Sequence, residues 1–249
     1  MDRNVDEHVR LAHIAADAGA RVVVFPELSL TGYEIGLARD LAFAERDARL
    51  DPLAGVARSR SLTLVVGAPV AFEARLHIGA FILGPDGSLA LYTKQRLGAF
   101  GPAASVDGVI PPAEATVFSP GALNPLVRLD GCTAAVAVCA DIGRPSHPLE
   151  ASARGADTYL ASTFVIPSEF DREAATLGAY AARHSLVVAC ANYGGPSGGL
   201  RSAGRSAIWS DRGVLLVQLD AAGAGVAVAV EDGTGWHTQA IRARPGPQG

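Results

Sequence analysis

The feature that most constrains this fold is a series of short, continuously apolar segments rich in β-branched residues. These segments are Arg21–Phe25, Leu62–Val66, Thr133–Val138 and Leu186–Ala191. A strand with one face in water alternates apolar and polar residues, whereas a strand covered on both faces is apolar at nearly every position. We therefore expect sheets that are covered on both faces, in a protein of the α/β class.

Three other segments have the sequence pattern of helices. The first runs from Asn4 to Ala18, with Asn4 as its N-cap, Glu7 completing a capping box and Gly19 ending the helix. The other two are predicted around Arg39–Arg60 and Phe170–His184. Helices that alternate with apolar strands predict helical layers packed on mixed sheets.

The remaining strands are predicted from β-branched and aromatic residues between turn signals. They are a hairpin of Leu76–Leu83 and Ser88–Thr93, and the strands Leu126–Leu129, Thr158–Ala161, Ser206–Ser210, Val214–Leu219 and Gly225–Glu231. Residues 95–124 are rich in Gly and Pro and are predicted as one long loop, which is usually functional in a compact domain. No linker or internal repeat divides the chain, so we predict a single domain over residues 1–249.

Composition argues against several classes of protein. The chain has 249 residues, of which 49% are apolar, so it can bury a large core. Its net charge of −4 argues against nucleic acid or a membrane surface as a partner. No apolar segment approaches the ~20 residues that span a bilayer, and no secretory signal follows the first residues. Three cysteines are too few for a disulfide framework, so we predict a cytoplasmic protein.

One basic residue differs from all the others. Lys94 is the single Lys among 21 basic residues. An ammonium is a compact charge that fits close to a reacting atom and whose pKa changes readily on burial, unlike that of a guanidinium. Lys94 is therefore a candidate functional residue, although composition alone leaves chance retention on the surface equally open.

Cys139 is the strongest candidate nucleophile. It directly follows a predicted strand and precedes a polar turn, so its thiol can face a pocket with free backbone N–H groups. Cys190 lies within an apolar strand, where an inert thiol is expected. Taken alone, any of the three cysteines, Cys132 included, is more often a core residue than a nucleophile.

A nucleophilic thiol needs a base, and two kinds of base are open. None of the six His residues lies in a recognisable motif, and His147 is the nearest to Cys139 in sequence. Glu27 follows an apolar strand, and a partly buried carboxylate has its pKa raised toward the range of a general base. Because Glu27, Lys94 and Cys139 all follow predicted strands, they can converge on one edge of a sheet.

Three motifs resemble those of the carbon–nitrogen hydrolases, also called the nitrilase superfamily, whose Glu, Lys and Cys occur in that order. The matching segments are VFPELSLTGY at Val24–Tyr33, YTKQRL at Tyr92–Leu97 and VCAD at Val138–Asp141. A further Glu of the family precedes a loop Gly by seven positions, as Glu114 precedes Gly121. Weaker similarities at residues 155–157, 191–192 and 204–206 extend the resemblance over nearly the whole chain.

The resemblance implies a four-layer α-β-β-α sandwich of two mixed sheets, a homodimer or higher homo-oligomer, and hydrolysis of an amide-type C–N bond without a metal or organic cofactor. It also implies roles for single residues. Glu27 would take the proton of Cys139, and the thiolate would attack a small-molecule substrate and form a thioester. Lys94 and the backbone N–H of Ala140 would stabilise the developing negative charge. Glu114 would orient Lys94 or the substrate.

The chain departs from the family pattern in several places. The family has a strand before the first helix, so either the true start lies upstream or the fold lacks that strand and leaves a sheet edge unpaired. Arg96 stands where many members have His, and Ser146 where many have Glu. Ala140 replaces a residue that is often aromatic, which predicts a wider pocket on that side.

The sequence therefore predicts a thiol-dependent hydrolase of a linear amide or a carbamoyl amide. Cys-Ala-Asp at residues 139–141 favours an amide over a nitrile, because nitrile-specific relatives usually have Cys-Trp-Glu. The candidates for contact with the substrate are Arg96, Arg144, Asn192 and Tyr193. The alternatives are a nitrile hydrolase or acyltransferase of the same family, a catalytically silent ligand-binding or assembly protein, and an amidotransferase with a Cys139–His147 pair.

Overall fold

The computed structural model describes residues 2–129 and 131–243 of the chain. Its helices are α1 (Asp2–Asp17), α2 (Asp51–Ser59), α3 (Ser146–Ala153) and α4 (Phe170–His184). Its strands are β1 (Val22–Val24), β2 (Thr63–Phe72), β3 (Arg75–Leu83), β4 (Leu89–Thr93), β5 (Leu126–Leu129), β6 (Cys132–Val138), β7 (Thr158–Ser162), β8 (Val187–Ala191), β9 (Ala207–Trp209), β10 (Leu215–Gln218), β11 (Gly225–Glu231) and β12 (Trp236–Arg242). None of these helices combines the length and apolar character needed to cross a bilayer.

The strands form two mixed sheets and a separate hairpin. The first sheet has the order β1-β2-β3-β4, in which only β1 and β2 are parallel. The second has the order β10-β9-β8-β7-β6-β5, in which β6, β7 and β8 are parallel. β11 and β12 form the antiparallel hairpin. The parallel strands therefore lie together inside the second sheet, where both faces can be covered.

Helices cover the outer face of each sheet. The central core lies between the sheets and includes Val65 and Ile78 from the first and Val136 and Leu160 from the second. α1 and α2 pack on the outer face of the first sheet, and α3 and α4 pack on that of the second. These layers confirm the predicted α-β-β-α sandwich.

The start of α1 differs from the prediction. Asn4 does not cap the helix, because α1 begins at Asp2 and Asn4 lies inside it. Its Nδ2 donates to Leu30 O at 3.1 Å, which ties the helix to the loop after β1. Glu7 pairs with Arg10 rather than completing a capping box. The predicted end is confirmed: Gly19 follows the helix with a φ of +88°, a left-handed conformation that favours glycine.

The helix predicted over Arg39–Arg60 is wrong in its first half. Phe43 is fully buried and pairs with the edge of β2, where its N–H donates to Pro69 O and its carbonyl accepts from Ala71 N, both at 2.8 Å. This tertiary pairing replaces local helical hydrogen bonds, and helix α2 begins only at Asp51. α3 and β12 were not predicted from the sequence.

β1 is an edge strand within the described part of the chain. It pairs with β2, and no strand of residues 2–129 and 131–243 pairs with its other edge. A cavity of about 800 Å³ adjoins this edge and is lined by parts of α1, β1, β11 and strands β7 to β9. Neither Lys94 nor Cys139 lines this cavity, but Asn192 and Tyr193 do.

Candidate active site

Strand ends from both sheets bring a carboxylate, an ammonium and a thiol together. Lys94 Nζ lies 2.6 Å from Glu27 Oε1 and 2.8 Å from Glu114 Oε1, and Cys139 interacts electrostatically with all three side chains. Glu27 and Lys94 are fully buried, whereas Cys139 is partly exposed. The four residues named from the sequence therefore form one cluster, and Cys139 is its partly exposed member.

A strained turn after β1 places Glu27. Leu28 has a φ of +53°, a left-handed conformation that few non-glycine residues adopt. The turn packs so tightly on β2 that only glycine fits at Gly67, where a Cβ would lie 2.4 Å from Leu28 N and 2.7 Å from Pro26 O. The Tyr193 hydroxyl donates to Glu27 O at 2.6 Å. The backbone therefore fixes the position of this carboxylate.

The long loop after β4 folds back and holds Lys94. The Lys94 N–H donates to Ile78 O at 2.8 Å, and its carbonyl accepts from Gly121 N at 2.7 Å. A Cβ at Gly121 would lie 2.0 Å from Thr93 Oγ1, so this approach requires glycine. The two ends of the loop are thus fixed beside the ammonium.

Glu114 connects the same loop to the ammonium. Besides Lys94, its Oε1 accepts from the Tyr33 hydroxyl at 2.5 Å, and its Oε2 accepts from Gly98 N at 2.7 Å. These bonds leave Glu114 little freedom to rotate. Glu114 therefore holds the Lys94 ammonium with one oxygen and the backbone of the loop with the other.

Cys139 lies at a sharp bend between β6 and a short 3-10 helix, Cys139–Asp141. Its φ is +45°, and such a conformation in a non-glycine residue costs about 1–3 kcal/mol and is typical of functional sites. Its Sγ donates to Phe164 O at 3.5 Å. The first N–H groups of a helix have no acceptor within it, so the N–H of Ala140 can bind a negative charge that develops beside the thiol.

Burial sets the protonation states of the cluster. It raises the pKa of Glu27 to about 7, against the opposing effect of the Lys94 charge. Burial alone would lower the pKa of Lys94, but the neighbouring carboxylates, Glu27 above all, raise it above its ordinary value. Burial, followed by the charge of Glu27, raises the pKa of Cys139 well above its ordinary value. The resting site thus holds a neutral thiol and a charged ammonium.

One oxygen of Glu27 is available to accept a proton. Oε1 is bonded to Lys94, whereas the buried Oε2 has no hydrogen-bond partner among the described residues. An unpaired buried oxygen costs about 1–3 kcal/mol and is uncommon in folded proteins. An interaction with the Cys139 thiol lowers the pKa of Glu27. Oε2 is therefore the candidate acceptor for the thiol proton.

Two of the predicted substrate-binding residues lie on the loops beside the bend. Arg96 is exposed, and its Nη1 donates to Gly143 O at 3.2 Å. Arg144 donates to Gln95 Oε1 at 3.4 Å. The structure thus places both guanidinium groups next to the nucleophile loop, each with a protein partner.

The polar atoms of the Asn192 amide and the hydroxyl of Tyr193 are hydrogen-bonded to the protein. Asn192 Oδ1 accepts from Val165 N at 2.9 Å, and its Nδ2 donates to Val165 O at 3.1 Å and Gly204 O at 3.0 Å. Contrary to the expected contact with substrate, these bonds use both polar atoms of the amide. Asn192 instead braces the segment that follows Phe164, while the Tyr193 hydroxyl holds the backbone of Glu27.

His147 does not serve as a partner for the thiol. Its Nε2 lies 3.0 Å from the Tyr92 hydroxyl, and its Nδ1 lies 2.9 Å from the Tyr159 hydroxyl. Since both ring nitrogens have these partners, the structure gives no support to a Cys139–His147 pair. Within residues 2–129 and 131–243, no group of three or more His, Cys, Asp or Glu is arranged to bind a metal ion.

Sequence reasoning missed an aromatic wall beside the thiol. The centroid of the Phe164 ring lies 5.0 Å from that of Tyr193, 5.1 Å from that of Tyr33 and 5.7 Å from that of Phe100. The Phe164 carbonyl accepts from Cys139, so this wall borders the nucleophile. Tyr33 could have been found, because it ends the first family motif, whereas Phe100 and Phe164 lie in segments without a motif.

Comparison with known proteins identifies the family of this chain. The family model described as carbon-nitrogen hydrolase matches residues 1–232. A Pseudomonas protegens protein named as a hydrolase in the pqqF 5′ region is 30% identical over 222 residues, which cover 86% of this chain and 73% of that protein. A glutamine-dependent NAD(+) synthetase of Mycobacterium leprae is 30% identical over 236 residues, but the chain spans only 34% of its length.

Solved structures give the same result. An amidase from Nesterenkonia sp. AN1 in complex with butyramide has a TM-score of 0.76 and 29% identity, covering 89% of this chain and 82% of that one. In another structure of that amidase, at 28% identity, the acetamide moiety of fluoroacetamide is bound covalently to the active-site cysteine. With the family match over nearly its whole length, the chain belongs to the carbon-nitrogen hydrolase family of the nitrilase superfamily and is a hydrolase of C–N bonds other than peptide bonds.

Proposed function

We propose that the protein hydrolyses a linear amide or a carbamoyl amide with Cys139 as nucleophile, Glu27 as base and Lys94 as the cation that stabilises the oxyanion. The observation that supports this most is the buried contact of Lys94 Nζ with Glu27 and Glu114 next to a strained, partly exposed thiol. Burying these three charged groups costs stability, and so does the strained backbone at Cys139. Such costs are typical of residues that are retained for function.

The reaction begins with transfer of the thiol proton. As the Cys139 sulfur bonds to the amide carbon, its proton moves to Glu27 Oε2, and the C=O electrons move to the oxygen. Lys94 Nζ and the Ala140 N–H stabilise this oxyanion, and removing one such donor typically costs about 2.7–4 kcal/mol. Glu27 then protonates the amide nitrogen, the C–N bond breaks, and ammonia or an amine leaves a thioester on Cys139.

Hydrolysis of the thioester uses the same base. Glu27 takes a proton from water, whose oxygen attacks the thioester carbon. The C–S bond then breaks, and the proton returns from Glu27 to the sulfur. The products are a carboxylic acid and the original thiol. A base with a pKa near 7 can both accept and release the proton at neutral pH, and the pKa of Glu27 lies there.

Two alternative reactions of the same site differ from amide hydrolysis in only one reactant. An amine in place of water gives acyl transfer, and a nitrile in place of an amide gives nitrile hydrolysis; the small Ala140 favours the amide. The match to a glutamine-dependent enzyme favours one further candidate, the side-chain amide of glutamine. A small-molecule substrate, a cytoplasmic location and a homodimer or higher homo-oligomer remain predictions.

The test is intact-mass analysis after incubation with a panel of aliphatic amides, carbamoyl amides, glutamine and nitriles. We expect an acyl adduct on the wild-type protein and release of ammonia, both abolished in Cys139→Ala. Cys190→Ala is the control, because that thiol is buried in β8 away from the cluster. Turnover retained in Cys139→Ala would contradict the proposal. A panel that binds without adduct or turnover would favour the catalytically silent alternative.

A further inference from the structure

A second buried carboxylate joins the two strand ends that position Lys94 and Cys139. Asp141 is fully buried, and its Oδ1 accepts from Gln95 N at 3.1 Å and Arg96 N at 2.7 Å, the two residues directly after Lys94. Its Oδ2 accepts from Val138 N at 3.3 Å, directly before Cys139. One side chain therefore bonds to the backbone on both sides of the reacting pair.

A chain of three side chains holds this carboxylate in place. The Tyr92 hydroxyl donates to Asp141 Oδ2 at 2.8 Å. Because a hydroxyl has one proton, its contact with His147 Nε2 at 3.0 Å must be one in which the imidazole donates. His147 Nδ1 is then the acceptor for the Tyr159 hydroxyl at 2.9 Å. All the hydrogen bonds therefore run in one direction, toward Asp141.

This direction requires a neutral imidazole with its proton on Nε2. Burial lowers the pKa of His147, which favours that neutral form. The chain also reaches across the fold, because Tyr92 lies on β4 of the first sheet, His147 on α3 and Tyr159 on β7 of the second. It therefore connects the two sheets at the edge where both contribute residues to the site.

We propose that Asp141 is a positioning residue that sets the distance between Lys94 and Cys139, and that the Tyr159–His147–Tyr92 chain keeps its carboxylate aligned. The inference rests on the proposed roles of Lys94 and Cys139. Neither Asp141 nor the chain touches the reacting atoms. The expected cost of losing alignment is about 100-fold in kcat, as is typical when a reacting group is displaced by about 1 Å.

The experiment compares two Tyr→Phe variants. Tyr92→Phe removes the hydroxyl that bonds to Asp141, whereas Tyr180→Phe removes a buried hydroxyl that bonds to Ile142 O at 2.9 Å without touching Asp141. Each loses one buried hydroxyl near the same bend, and Tyr92→Phe should lose somewhat more thermal stability because its hydroxyl bonds to a carboxylate. Only Tyr92→Phe and Asp141→Asn should lower kcat, with KM changed less than about threefold, because binding groups stay in place.

The second measurement needs no substrate. Alkylation of Cys139 by iodoacetamide, followed by mass spectrometry as a function of pH, reports the reactivity of the thiol itself. We expect slower alkylation in Tyr92→Phe and Asp141→Asn than in Tyr180→Phe, by about tenfold or more. His147→Gln should restore most of the rate lost in His147→Ala, because its side-chain amide can reproduce the Nε2–H donor.

The outcomes separate this inference from the proposed function. If alkylation and kcat fall equally in Tyr92→Phe and Tyr180→Phe, the network is merely structural and the inference is wrong. Equal alkylation in Tyr92→Phe, Asp141→Asn and wild type would also overturn it. If no amide or nitrile of the panel is turned over but alkylation shows the expected ranking, the substrate proposal fails while the positioning role stands.

Discussion

Lys94→Arg tests the geometry of the site at constant charge. Lys94 Nζ contacts two carboxylates at 2.6 and 2.8 Å in a space with no exposure to solvent. A planar guanidinium is larger than an ammonium and cannot keep both contacts unless Glu27 or Glu114 moves. Overpacking of this kind costs about 1–3 kcal/mol of stability. The retained charge avoids the larger penalty, about 3–5 kcal/mol, of leaving two buried carboxylates without a cation.

The effect on turnover should exceed the effect on stability. Displacing the cation that stabilises the oxyanion corresponds to losing one donor, about 2.7–4 kcal/mol, or roughly 100- to 1,000-fold in kcat. Ammonia release measured at saturating amide gives kcat, and thermal unfolding checks that the variant is folded. The control is Arg39→Lys, which exchanges the same two residue types at an exposed position and should leave kcat unchanged.

The refuting result is a folded Lys94→Arg protein with wild-type kcat. It would mean that any cation serves at this position, and that the reaction does not require an ammonium at residue 94. If Lys94→Arg does not fold, Lys94→Gln is tested instead, because Gln is smaller than Lys and retains an N–H donor. With the ammonium charge lost, its kcat should fall at least as far as that of Lys94→Arg.

The other predictions concern the base and its support. Because Glu27 acts as a base only when ionised and burial raises its pKa to about 7, kcat/KM should rise as pH increases through about 7; a flat profile between pH 5 and 8 would contradict this. Gly67→Ala should push the turn after β1 and lower kcat at least tenfold, since the new Cβ would lie 2.4 Å from Leu28 N. Gly55→Ala in α2 is its control, because no atom of the described residues lies within 4 Å of that Cβ, and we expect unchanged kcat and about 0.5–1 kcal/mol more stability by thermal unfolding.

Much of the fold follows from local patterns. The apolar runs predicted β1, β2, β6 and β8, and α4 begins and ends at the predicted residues. Predictions from local sequence were wrong where a residue forms hydrogen bonds with a segment far away in the chain. Phe43 pairs with β2 instead of joining a helix, and Asn4 bonds to the loop after β1 instead of capping α1.

The sequence by itself determined the chemical types available to the site: one Lys in the whole chain, a Cys after an apolar strand, and Glu27 and Glu114 in recognisable motifs. Only the tertiary structure decided how these groups are used, because contact distances and burial depend on segments far apart in the chain. It left Glu27 Oε2 unpaired, committed the Asn192 amide to backbone, and placed His147 behind the site rather than in it. A pKa is a property of such an environment, so no local pattern of residues could fix it.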